Sequence, residues 1–356
     1  MPPLPAKLPE GLQDNHHAVS AYNICLQLQK SIQEEIDKKD SERKDIDKKD
    51  DEIRRNIISC RILGYLIHFV TQEIFSCKDN ESFVALGQTY YNFYIKAFRS
   101  NKGRTPAPSS HPSRRSFDNL KDIIGGTLVE APQSHVNAKA NALIRDNFRC
   151  VVTRRYDDNS VRQNKELEEI YKSDPHSMTA ETQCAHIFAE STNANIAPGS
   201  DKRDCATGVL AVLKRFGFTK IEEDLNGRNV HRLENVMTLE PSVHSSFDKL
   251  KIWFIATNVE NRYKVTGTHE FMLRQYPEYV TFSTPDPIKL PVPSPTYLAI
   301  HAACAQVAHL SGASEYIDKF DRDMEDGTTL DHGGGSAELL EDAIWGLGAS
   351  GHEVII

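Results

Sequence analysis

Between His16 and Phe98 the chain runs without proline, and apolar residues recur at steps of three and four, which predicts helices. In "SIQEEIDKKDSERKDIDKKDDEIRRNIISC", Ile32, Ile36, Ile46, Ile53, Ile57 and Cys60 keep that spacing. Lys39, Arg43 and Asp50 interrupt the seam, so the pattern fits a short coiled coil or helical hairpin and equally a solvated helix packed on one side. "RILGYLIHFVTQEIF" and "FVALGQTYYNFYIKAF" are more apolar and read as helices with a buried face. Further on the period changes. "SHVNAKANALIRDNFRC" reads as a helix, "CVVT" and "TQCAHIFA" as short strands, and "RDCATGVLAVLKRFG" as a helix. "NVMTLEPSVHSSFDKL" is a loop entering a helix, and "KIWFIATN" with "NRYKVTG" is a strand pair. "YLAIHAACAQVAHLSGASEYIDKFDRDM" predicts a long helix, on which His301 and His309 read as packed among apolar neighbours.

These segments predict an α+β chain with five parts. Residues 1–15 are Pro-rich and expected to be disordered, 16–99 form a helical region, and 100–116 form a linker rich in Pro, Ser and Arg. Residues 117–310 form a second globular unit, and 311–356 an acidic, loosely ordered tail.

Composition refines this. No apolar run reaches the roughly eighteen residues of a membrane span, and "MPPLPAKLPEGLQDNHH" lacks the apolar centre of a secretory signal, so the expectation is an intracellular protein, nuclear or cytoplasmic, with no membrane partner. The seven cysteines are scattered without a C-x-x-C pair, which argues against a disulfide framework or a four-cysteine zinc ribbon. The net charge of −8 is concentrated at the end: from Ser311 onward eleven acids face two bases. The rest is near neutral, so broad non-specific DNA binding is not expected, and any nucleic-acid contact must use local patches. The dense basic cluster is "KRFGFTK", where Lys214, Arg215 and Lys220 are candidate substrate contacts or a solvated helix end.

Four residues carry candidate chemistry. His244 and Asp248 stand four apart in a predicted helix, so both side chains lie on one face within reach of a common cation. One imidazole with one carboxylate suits Mg²⁺ or Mn²⁺, and also borderline ions such as Zn²⁺ or Ni²⁺. His186 ends a predicted strand, and Asn235 has an amide able to fix a ring and pin a loop together. Singly, each has a plain reading: a solvated helix pair, a core histidine, a turn asparagine.

Together, "ALIRDNFRCVVT", "TQCAHIF" and "NVMTLEPSVHSSFDKLKIWF" resemble the three signature blocks of the HNH nuclease superfamily, and within it the HNH type common in fungal proteins. The blocks fall on Arg145, Asp146, Arg149, Cys150 and Thr153; on Ala185, His186 and Ile187; and on Asn235, Leu239, His244, Phe247 and Asp248. The resemblance spans about residues 138–266, roughly a third of the chain. It implies a ββα-metal fold with an inserted helix between the strands. It also implies His186 as general base, Asn235 as the central asparagine and His244 as metal ligand, with Asp248 where many relatives place a second ligand or a basic residue. The activity implied is metal-dependent cleavage of nucleic acid, DNA rather than RNA.

Two positions depart from the pattern. Ala185 stands where many relatives carry a metal ligand, leaving that place to water or Glu190. Arg154 stands where a glycine commonly follows the threonine, which implies an altered turn. The competing reading keeps the HNH fold without catalysis and assigns the work to the N-terminal helices, in self-association or partner binding.

Overall fold

The computed structural model describes residues 3–42, 47–99, 135–189, 198–199 and 201–326. The expected linker and Glu190 lie outside the described residues.

Helices His16–Glu42 and Asp47–Tyr65 pack side by side. The Cys60 thiol donates to the Cys25 carbonyl, and Arg61 Nε donates to Gln29 Oε1 at 3.0 Å. Ile32, Ile53 and Ile57 are buried as the spacing requires, and Ile58, Ile62 and Leu63 are too. The arrangement is a helix pair with further helices Ile67–Ser76 and Asn80–Tyr90 laid on it, so the apolar stripes face several neighbours rather than one seam. Asn80–Tyr90 continues through a π-helical turn, Tyr91–Ile95, which buries Phe93, Tyr94 and Ile95.

The expectation of disorder over 1–15 is corrected. Leu4 and Leu8 are buried, the Leu4 amide donates to Gln29 Oε1, and Tyr22 donates to the Pro5 carbonyl. Gly64 leaves a hollow for Leu4: a Cβ there would stand 2.7 Å from the leucine methyls. Proline content masked two apolar anchors that have a docking place. The expected loose tail is also shortened. Gly312, with φ 83, ends helix Pro295–Ser311, and a further helix runs over Ala313–Asp326 with Ile317 buried.

Seven short strands are present among the described residues: β1 Tyr156–Asp157, β2 Thr179–Ala180, β3 Gln183–His186, β4 Val236–Leu239, β5 Ile252–Ala256, β6 Arg262–Gly267 and β7 Tyr279–Thr281. β3 and β4 form an antiparallel pair, and helix Pro241–Asp248 follows directly, giving the ββα unit. β5, β6 and β7 make a separate antiparallel sheet. "CVVT" is not a strand: Val151 to Thr153 turn, and the segment is held by Val151 N donating to Thr238 O at 2.9 Å. The turn keeps the left-handed geometry that glycine favours, because Arg154 adopts φ 64. The expectation of an altered turn is therefore corrected.

The β3–β4 pair is covered on both faces. Ala185, Met237 and Leu239 enter the main core with Val243 and Phe247 of the following helix. Cys184 and Val236 face the other way, under Ala138 and Ala142 of helix His135–Arg145. Alternation along the strand thus serves two different cores.

The N-terminal helices share the main core with the ββα unit. Phe98 packs on Phe188, Tyr90 stacks on Phe216, and Arg99 Nη1 donates to Ser314 O while its Nη2 pairs with Asp321. Gly208 of helix Asp201–Arg215 permits the closest approach: a Cβ there would meet the Phe93 ring at 2.4 Å.

Candidate active site

His186 is the last residue of β3, opposite Val236, and Asn235 immediately precedes β4. Asn235 is fully buried and all its described side-chain bonds go to backbone. Its Oδ1 accepts from Phe188 N at 2.9 Å, and its Nδ2 donates to Phe188 O at 3.0 Å and Val230 O at 2.8 Å. Ile187 N donates to its main-chain carbonyl at 2.8 Å. The asparagine thus clamps the exit of β3 to the entry of β4, which sets where His186 stands. The side-chain bonds of Asn235 go to the loop backbone, and the His186 ring is bonded by another residue.

That residue is His231, whose Nδ1 shares a 3.2 Å hydrogen bond with His186 Nε2. His135 is also close, with its ring centroid 5.4 Å from that of His186. Burial first, then His231, His135 and His244, hold the His186 imidazolium down to a pKa of about 3, so the ring is neutral near pH 7. His244 thus lies within electrostatic reach of His186, and His135 within reach of both.

His244 and Asp248 share one face of helix Pro241–Asp248, as their spacing predicts, with Nε2 to Oδ2 at 3.4 Å. Gln183 Oε1 lies 2.7 Å from His244 Nδ1. An amide oxygen only accepts, so Nδ1 carries the proton and Nε2 presents a lone pair toward the Asp248 carboxylate. Two acceptors facing each other need a proton or a cation between them. Burial pushes the Asp248 carboxyl up to about 7, so a proton can occupy that gap near neutral pH. Burial, and secondarily His135, lowers the pKa of His244. The donor set therefore fits a divalent ion, with Gln183 as the partner that fixes the imidazole tautomer.

Ala185 is fully buried against Met237 in the main core and offers no ligand. Around it stand groups that the sequence did not single out as ligands. His135, Cys184 and His186 each place one ligand atom within 4.8 Å of the other two. His135 opens a helix some fifty residues before His186, and His231 sits in a 3-10 turn some forty-five after it, so no local spacing links them to the strand. Cys184 carried one available signal: it precedes His186 by two and so shares its face.

Lys214 and Arg215, the candidate substrate contacts, each stand against an acid. Lys214 pairs with Glu222 at 3.2 Å, and Arg215 pairs with Glu73 of the N-terminal helices, to which Tyr90 also donates. Their helix end is buried against the N-terminal region, and acids there neutralise both cations. Lys220 is exposed at the start of helix Ile221–Leu225, apart from the histidines in sequence and role. Exposed positive charge follows directly on the first signature block, where Arg154 and Arg155 line a cleft with Arg149, His176, Asp174 and Glu240. Arg149 is stacked over the Tyr156 ring at 3.8 Å, and Arg155 reaches Glu240 at 3.6 Å.

Residues 150–255 match the model of a family described as HNH endonuclease, so an HNH-type domain of the nuclease superfamily is present in this segment. The match covers β3, β4 and helix Pro241–Asp248 with the connection between the strands, and leaves His135 and the N-terminal helices outside it. No curated protein and no solved structure matches the chain. Among the described residues no single helix is long and apolar enough to cross a membrane.

Proposed function

We propose that this chain hydrolyses phosphodiester bonds of nucleic acid, DNA in preference to RNA, as a metal-dependent HNH-type endonuclease. The observation that carries the reading is the facing pair of His244 Nε2 and Asp248 Oδ2, within electrostatic reach of the neutral His186 in a segment matching the HNH endonuclease model.

His244 and Asp248 would hold the divalent cation, Mg²⁺ or Mn²⁺ as first choice. When bound, such an ion supplies charge neutralisation at the scissile phosphate. Gln183 keeps His244 in the tautomer that presents Nε2. His186 accepts the proton of the attacking water, because a neutral imidazole has the free lone pair this needs. A base held near pKa 3 is weak by itself. The phosphodiester anion beside it favours the protonated ring by Coulomb attraction and raises its basicity as substrate arrives. His231 holds the ring's orientation, and Asn235 holds the loop that carries it. Arg154 and Arg155 are the positioned cations for the backbone of the nucleic acid.

The alternative of a catalytically silent HNH fold acting through its N-terminal helices gains no support from the packing. Most apolar positions of those helices lie in the core shared with the ββα unit, with Ile24, Phe69 and Phe75 left exposed.

Purified full-length protein with Mg²⁺ or Mn²⁺ should nick supercoiled plasmid, and His186→Ala should lower the rate by a factor of roughly 10² to 10⁴ with an unchanged melting profile. Absence of cleavage with any divalent ion, or a fully active His186→Ala variant, removes the reading.

A further inference from the structure

Cys184 and His186 alternate along β3 and project from one side of the hairpin. Helix His135–Arg145 covers that side, and it comes close because Ala138 and Ala142 form its contact. His135, the first residue of the helix, is thereby brought over His186. The result is two imidazoles and one thiol converging from two elements, with their ligand atoms within 4.8 Å of one another. This set shares no member with the His244–Asp248 pair on the following helix.

The chemistry of the two sets differs. A carboxylate with one imidazole suits a hard or borderline ion, whereas a thiolate with two imidazoles selects a thiophilic one and gives Mg²⁺ nothing to prefer. Tetrahedral Zn²⁺ with S and N ligands sets donor separations of roughly 3.3–3.6 Å. Side-chain movements of about 1 Å would close the three groups onto an ion of that kind. The His231 bond occupies Nε2 of His186, leaving Nδ1 for an ion and supplying the outer partner that ligating histidines use.

We propose that His135, Cys184 and His186 form a second metal site, for a thiophilic divalent ion of the Zn²⁺ class, and that an ion there withdraws His186 from proton transfer. Binding forms a metal–sulfur bond and releases the thiol proton to solvent, with no change of oxidation state. The site itself stands on geometry alone; its inhibitory effect rests on the reading of His186 as general base.

Co²⁺ alone, titrated into the full chain, is the probe. A thiolate-to-cobalt charge-transfer band in the near ultraviolet should saturate at one equivalent, disappear when Zn²⁺ is added, and be missing in Cys184→Ser. His135→Ala, altered at a half-exposed helix start, should retain the band and weaken Co²⁺ binding by ~10-fold or more. In plasmid nicking with Mg²⁺, Zn²⁺ should inhibit the natural sequence, and Cys184→Ser should need ~10-fold more Zn²⁺ for the same fractional inhibition. No band, or an undiminished band in Cys184→Ser, overturns the site. A Cys184-dependent band with Mg²⁺ cleavage indifferent to Zn²⁺ overturns the withdrawal of His186. A Cys184-dependent band in a chain that cuts no DNA with any metal upholds the site and removes the nuclease reading instead.

Discussion

Arg145 and Asp146, adjacent in the chain, form a buried two-pronged ion pair, Nε to Oδ1 at 2.8 Å and Nη2 to Oδ2 at 3.0 Å. The remaining capacity of both groups ties three segments together. Arg145 donates to the carbonyls of Leu233, Val236 and Pro291, and Asp146 Oδ2 accepts from Thr238 N at 2.9 Å. The dipeptide of the first signature block is therefore a staple that fastens helix His135–Arg145 to β4. Removing one partner strands the other charge in the interior, so Asp146→Ala should cost about 3–5 kcal/mol. Urea denaturation would measure it, and a loss below ~1 kcal/mol would contradict the staple.

Gln183 acts on the cation only through His244. Gln183→Ala frees the imidazole to adopt the other tautomer, so half-maximal cleavage should need ~10-fold more Mg²⁺ or Mn²⁺, with the rate at saturating metal largely kept. Equal loss of rate at every metal concentration would show that Gln183 does not work through the ion.

His301 makes stability depend on acid. It is buried, stacked on Phe247 with ring centroids 3.7 Å apart, and burial lowers its pKa from 6.5 to about 3. The unfolded chain therefore binds a proton that the folded chain refuses. The neutral ring's contribution is complete above pH 6.5 and is lost as pH falls toward 3, up to about 5 kcal/mol in total. His301→Phe keeps a ring against Phe247 and cannot take the proton, so its melting temperature should fall less steeply between pH 6.5 and 4. Parallel acid limbs for the two proteins would place the sensitivity elsewhere.

Arg154 holds φ 64, a conformation with a steric penalty for every residue except glycine. Arg154→Gly should raise stability by up to about 1 kcal/mol. If the exposed guanidinium also contacts phosphate, the same variant should bind DNA more weakly with a shallower salt dependence. A more stable protein with unchanged DNA affinity would leave the turn account in place and remove Arg154 from the substrate surface.

Gly208 lets helix Asp201–Arg215 seat against Phe93, and Gly208→Ala should cost about 1–3 kcal/mol by overpacking. Pairing it with Phe93→Leu should recover part of that loss, because the shortened side chain vacates the space the new methyl needs. Strictly additive losses in thermal melts would mean that the two residues do not oppose each other.

Local pattern determined much of this protein. The alternation in "QCAH" and the four-residue step from His244 to Asp248 are properties of the chain itself, so β3, the helix and their order were legible, whereas "VMTL" read as a loop because its four positions are all buried and show no alternation. The β5–β6 pair was legible too, while before Tyr65 the pattern showed helix but left a hairpin and a single solvated helix as equal readings. Leu4 and Leu8 escaped because a proline-rich composition describes average behaviour, while their burial depends on one hollow beside Gly64. Lys214 and Arg215 read as a basic patch because their counter-charges, Glu222 and Glu73, come from elsewhere in the chain. The convergence of His135 and His231 on His186 required two chain crossings that no spacing records. Periodicity states which face an element will bury; which element arrives to cover that face, and which polar groups it carries along, is settled only when the cores close.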